Sequence, residues 1–175
     1  SDAMRHMWNQ IQLGGRWYHV DVTWDDPIAD MPGRAEHKYF LKSDSAWNAS
    51  YIWDNTLSEP CEDKSRDSFF WGNSSSPLVS DGENWFYVKN KGSYPGIYRW
   101  DPETDPKAVK LEKLVDLSIY RWETATPGYY FAEKYTQLAI HQGVLYFNTP
   151  DEVLRVSVGT EGLTKGEPAP GINME

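Results

Sequence analysis

The 175-residue chain carries a formal net charge of −9 and a pI near 4.9, so nucleic acid and anionic membrane surfaces would repel it and neither is expected as a partner. At 20.2 kDa it is long enough for one substantial domain or two small ones, and no apolar run approaches the roughly 18 residues of a membrane span. Its one cysteine, Cys61, excludes an internal disulfide and leaves the redox compartment open.

Residues 5–13 and 16–24 alternate as two strands, and Gly14-Gly15 between them supplies the positive φ angles of a tight primed hairpin turn. A two-residue loop pairs Leu13 with Arg16, which sets Thr23 opposite His6 and Trp8 opposite Asp21. His6 and Asp21 then become diagonal neighbours on one face, about 7–8 Å apart at the backbone and within side-chain reach. Alternation puts His6, Trp8, Gln10, Gln12, Trp17, His19, Asp21 and Thr23 on that face. Met7, Ile11, Leu13, Tyr18, Val20, Val22 and Trp24 fall on the other, which is expected to be core. A three-residue loop or a bulge would shift this parity. Asp25-Asp26-Pro27 ends the second strand and turns the chain.

A Pro/Gly loop over 28–37 and a short strand over Lys38–Lys42 follow. Ala46–Thr56 fits a strand or a short helix equally well. Acidic and small polar residues over Glu59–Ser68, then Gly72-Asn73-Ser74-Ser75-Ser76-Pro77, mark a boundary. The expected organisation is a first module over 1–60, a linker over 61–77 and a β-meander or propeller-like repeat module over 78–175. In the last, Asp81–Val88 with Gly96–Pro102 resembles His141–Asn148 with Glu152–Val156. Each is a polar-Gly turn, an aromatic strand, a short loop and an apolar-x-Arg-apolar strand, about 60 residues apart. Two such units read as blade-like sheets, with Lys107–Leu117 and Tyr129–Ile140 as outer strands.

The string His6-Met7-Trp8-Asn9, the apolar strand after it, Gly14-Gly15-Arg16-Trp17-Tyr18 and Val20-Asp21-Val22-Thr23-Trp24-Asp25-Asp26 resembles the second half of the core domain of the transglutaminase-like enzymes, a bacterial branch of the papain-like cysteine enzymes. A weaker echo runs through His37–Leu41, and Met7 departs from the alanine common after the family's histidine. The resemblance implies a mainly β fold, with an antiparallel sheet from the C-terminal half of that core joined to the β-meander units. It also implies catalytic roles for His6, as base, and Asp21, as its orienter, with Trp8 walling the active site beside the histidine. Trp17 shares the predicted face and is the second candidate substrate-binding residue. The family's nucleophilic cysteine precedes the histidine on a helix that this sequence does not contain. A missing N-terminal half carrying that cysteine is therefore the expected partner, and the chain alone is expected to be inactive.

A thiol is mostly protonated at neutral pH, and an imidazole held by a carboxylate makes the reactive thiolate by taking its proton. Base and orienter alone transfer no acyl group. Cys61 sits in the acidic stretch Ser58-Glu59-Pro60-Cys61-Glu62-Asp63, which disfavours a thiolate, so it reads as a structural thiol. The implied substrate is a peptide or protein amide, for hydrolysis or crosslinking, and no cofactor or metal is implied. His6, His19 and Asp21 share a face, but strand-spaced donors of this kind are common without a metal. His37 and His141 read as surface or loop histidines, and Asp101–Pro106 as a solvated turn rather than a calcium loop.

Nine tryptophans and eleven tyrosines admit two readings. Aromatic residues favour strands and fill β cores; they also form platforms for sugar rings. The alternative to an enzyme is accordingly a non-catalytic aromatic-rich β module binding cell-wall glycan or protein. An extracellular or cell-envelope location suits either reading.

Overall fold

In the computed structural model the described residues are 6–26, 34–123, 129–131 and 136–172. Parts of the expected first strand (Arg5), the 28–37 loop and the Tyr129–Ile140 strand lie outside them. The fold is mainly β, with 31% of residues in antiparallel strands and 10% helical. No helix among the described residues is long and apolar enough to cross a membrane. The chain divides into two compact units at Gly72/Asn73, with Arg34 belonging to the second. Residues 61–72, expected as linker, pack within the first unit, where Cys61, Phe70 and Trp71 are buried.

The first unit is built on a hairpin of β1 (Asn9–Leu13) and β2 (Arg16–Val20). Gly14 and Gly15 adopt φ of 57° and 77°, and the register pairs Leu13 with Arg16 through Asn9 with Val20. The strands are shorter than the sequence pattern indicates, because Asp25 N–H closes onto the Asp21 carbonyl at 3.1 Å and curls the chain into a turn. On the other edge of β2, His19 and Lys42 exchange backbone hydrogen bonds of 2.9 and 3.0 Å, and Asp21 N–H donates to the Tyr39 carbonyl at 3.2 Å. The expected Lys38–Lys42 strand is reduced to this single bridge, since buried Leu41 takes a left-handed φ of 55° that interrupts an extended run. The Ala46–Thr56 stretch is helical at both ends. A one-turn helix α1 (Asp44–Trp47) is capped by Ser43, whose side chain accepts from Ala46 N–H, and a 3-10 turn spans Asn55–Leu57.

Burial corrects the assignment of faces. Of the expected core face only Tyr18 and Val20 are buried, while Met7, Ile11, Leu13, Val22 and Trp24 are exposed. The polar face is the covered one, with His19 at 0% and Asp21 at 1% exposure. The reason is chemical: α1 and the aromatic segment after it pack onto that face and supply partners for its polar groups.

The second unit holds two four-stranded antiparallel sheets. One runs β3 (Val79–Ser80), β4 (Trp85–Lys89), β5 (Gly96–Trp100), β6 (Glu112–Asp116). A two-stranded pair, β7 (Arg121–Glu123) and β8 (Tyr129–Phe131), follows. The second large sheet is ordered β12-β11-β10-β9, from β9 (Leu138–His141), β10 (Val144–Asn148), β11 (Val153–Ser157) and β12 (Glu167–Pro168). Each strand of the first sheet has a counterpart about 55–59 residues later, so the internal repeat spans four strands. The expected Tyr129–Ile140 outer strand is divided between β8 and β9. Phe86, Val88, Ile97, Leu114 and Val115 of one sheet share a buried cluster with Leu138, Leu145, Phe147, Leu154 and Val156 of the other, and this apolar burial stabilises the unit.

Close backbone approach at β5 and β6 depends on Gly96. A Cβ there would lie 2.5 Å from both the Val115 carbonyl oxygen and Lys113 Cε. Gly96→Ala is therefore expected to destabilise the second unit by roughly 1–3 kcal/mol, read as a lower urea midpoint; an unchanged midpoint would contradict this packing.

Candidate active site

The turn after β2 and the segment following α1 bring the two sequence-predicted residues His6 and Asp21 into direct contact. His6 Nε2–H donates to Asp21 Oδ2, while Tyr51 O–H donates to the same oxygen at 2.6 Å and Trp24 N–H to Oδ1 at 3.1 Å. Burial works against ionising Asp21, but these donors outweigh it and hold its carboxyl below the ordinary aspartate range. Among the described residues His6 Nδ1 has no hydrogen-bond partner, and the ring is 18% exposed.

That ring faces an open groove of about 870 Å³, lined by Trp8, Trp24, Tyr51, Trp53 and Leu57 among others. Trp8 walls His6 with rings 6.4 Å apart and nearly parallel, while Trp24 meets it edge-on at 5.7 Å. Trp17 is not brought to this place. It lines a separate cavity of about 360 Å³ with Arg16, Pro60 and Asp63, near the Tyr18 hydroxyl and Arg16 guanidinium that both donate to Asp63. Trp24 and Tyr51 escaped the sequence reading. Strict alternation assigned Trp24 to the opposite face, although the turn-forming Asp25-Asp26 was the available sign that alternation stops. Tyr51 lay in the stretch whose secondary structure was left open.

A second histidine–carboxylate pair lies beneath. Trp8 Nε1–H donates to His19 Nδ1 at 3.0 Å, and His19 Nε2–H donates to Asp44 Oδ1 at 2.8 Å. An indole N–H can only donate, so Nδ1 is the bare nitrogen and the proton sits on Nε2. Burial lowers the His19 pKa despite Asp44, which keeps the ring neutral. Donor atoms of His19, Asp44 and Cys61 all lie within 4.8 Å of one another. The protonation pattern does not fit a metal, since Nε2 would have to lose its proton while Nδ1 stays occupied by Trp8. Cys61 is fully buried, its N–H donates to Asp44 Oδ2 at 3.0 Å and its sulfur accepts from Gln10 Nε2 at 3.1 Å. Burial and the Asp44 charge push its thiol up to about 11. Both nitrogens of its neighbouring histidine are engaged, so no base is available to it.

His19, Trp47, Tyr51 and His6 form a column of stacked rings. Successive centroids are 4.7, 4.5 and 6.0 Å apart, with interplanar angles of 17°, 8° and 17°. Trp47 and Tyr51 share a face through their i, i+4 spacing, fixed by Tyr51 N–H donating to the Trp47 carbonyl at 3.0 Å.

No family model, curated protein or solved structure matches this chain.

Asp25 is buried and its pKa is pushed up to about 6; burial is the main cause, opposed by the Tyr39 and Lys38 backbone N–H groups and reinforced by Asp21 and Glu36. The folded protein therefore holds a proton there that the unfolded chain releases at about 3.9. Stability of the first unit should fall as pH rises from about 4 through about 6, by on the order of 2–3 kcal/mol, and level off above. Denaturation midpoints across that window check this, and Asp25→Asn should flatten the slope. Cys61 should resist iodoacetamide in the native protein and react on unfolding, which mass spectrometry reads directly; rapid native labelling would contradict its burial.

Proposed function

We propose that the first unit supplies the base and orienting carboxylate of a transglutaminase-like cysteine hydrolase or acyltransferase. Its substrate is a peptide or protein amide, and its thiol comes from outside these 175 residues. The observation that carries this reading is the asymmetry of His6. Nε2–H is held by a buried carboxylate, while Nδ1 stands bare at a groove, the protonation pattern a general base requires. A thiol entering the groove gives its proton to Nδ1, and the thiolate attacks the amide carbonyl. The imidazolium then returns the proton to the leaving amine. The resulting thioester passes its acyl group to water in hydrolysis or to a second amine in crosslinking. Cys61 cannot take the nucleophile's part, because its sulfur is sealed beside a saturated histidine.

One further observation supports a second reading, a non-catalytic module that binds a partner at the cell envelope. Met7, Ile52 and Leu57, at 89%, 107% and 85% exposure, flank the aromatic walls of the groove. Beside His6, polar side chains of its lining are spent internally: the Gln10 side chain bonds Glu59 at 2.7 and 2.9 Å, and Asp54 accepts from Thr56. A sugar needs such groups beside its stacking platform, so this reading favours an apolar protein segment over a glycan.

Joined to a cysteine-bearing segment of its own reading frame, the chain should hydrolyse or transfer amides, and His6→Ala should lower kcat by about 10²–10⁴-fold. The 175 residues alone should show no such activity. Iodoacetamide-sensitive amidase activity from this chain would sink the assignment, as would a His6→Ala enzyme of unchanged rate. Binding to an array of apolar peptides that is lost in Trp24→Ala would replace it with the binding module.

A further inference from the structure

We propose that Tyr51 is the positioning residue of the His6–Asp21 pair, fixing the carboxylate through its hydroxyl and the imidazole plane through its ring. The role rests on the reading of His6 as the base, and its test does not require that reading to hold.

The hydroxyl places a second donor on Asp21 Oδ2 at 2.6 Å, beside His6 Nε2–H, while Trp24 N–H occupies Oδ1. With donors on both oxygens and 1% exposure, the carboxylate has no freedom to rotate and no water to replace a lost partner. Tyr51 is held well above the ordinary tyrosine range by burial and by Asp21, so it remains a donor at every pH at which the protein would work.

The ring acts separately. It lies 6.0 Å from His6 at 17° and 4.5 Å from Trp47 at 8°. Trp47 is 1% exposed and itself stacks on His19, so the column ends on a ring anchored by Trp8 and Asp44. His6 is thereby aligned from the unit's interior, although it precedes β1 and no backbone pairing of a strand holds it. A carboxylate alone would let the imidazole swing about the Nε2–Oδ2 axis. The stacked phenol restricts that freedom and holds a ring that lines the groove with Nδ1 unpartnered among the described residues, which is the support that a precise reacting group needs from its neighbours.

Tyr51→Phe keeps the stack and deletes the donor; Tyr51→Leu deletes both. In imidazole ¹⁵N NMR of the 175-residue chain at neutral pH, the parent should show His6 as one tautomer, protonated at Nε2. The Phe variant should keep that tautomer and move its Nε2–H downfield, because His6 no longer shares Oδ2. The Leu variant should lose the slowly exchanging Nε2–H resonance. His19, whose nitrogens are held by Trp8 and Asp44, reports whether the fold is intact. His6 signals unmoved in the Phe variant, with His19 intact, would overturn the proposal even if the Leu variant fails to fold. If the amide chemistry fails while these shifts occur, the pair is positioned but the enzymatic reading is at fault.

Discussion

The first unit depends on keeping a charge at Asp21 out of water. Desolvating a carboxylate costs several kcal/mol unless donors replace its hydration, and with 1% exposure water contributes almost nothing. The neighbouring chain is organised to provide the donors. The turn over residues 21–25 brings Trp24 N–H back, the segment after α1 delivers Tyr51 O–H, and the residues before β1 supply His6. Removing any one would leave a buried charge short of a partner, so the three elements are tied to one another through a single side chain.

The same constraint explains why two histidine–carboxylate pairs in one unit have different chemistry. His19 is sealed: Trp8 takes one nitrogen, Asp44 the other, and the ring is fully buried. It is a structural strut that fixes the indole of Trp8. His6 has the same kind of carboxylate on Nε2 but lines the groove with no partner on Nδ1 among the described residues. Identical residue types become a strut or a candidate base according to whether the second nitrogen has a donor against it. Metal-ligand spacing among His19, Asp44 and Cys61 is misleading for this reason, since the indole has already chosen the tautomer.

The hairpin register was legible because a Gly-Gly turn fixes pairing; that pairing also pointed to a contact of His6 with Asp21, but both residues lie beyond the paired strands, and the turn after β2 and the Tyr51 segment make the contact instead. The four-stranded repeats were legible through their two central strands and less so at β3 and β12, whose two residues carry no pattern. What was not legible is long-range. Alternation assigned the apolar side of the hairpin to the core, yet a sheet face is buried by what packs on it. Trp47, Tyr51 and Trp53 choose the polar side because His19 offers its ring to both tryptophans and Asp21 accepts from the Tyr51 hydroxyl. Trp17 shares the parity of Trp8, but the hairpin's length carries it past the edge of that cover, to the Asp63 side.

A consequence follows for where specificity can reside. Burying the polar face commits its aromatic residues to the interior, and the hairpin's aliphatic residues are left outside. Trp8 is therefore constrained from below by His19 and presented to the groove from above, whereas the side chains of Ile52 and Leu57 are exposed. The groove accordingly has a rigid floor, built from Trp8, Tyr51 and His6, and a rim of exposed apolar side chains on turns. Ile52 and Leu57, at 107% and 85% exposure, can therefore change without disturbing the carboxylate that organises the unit.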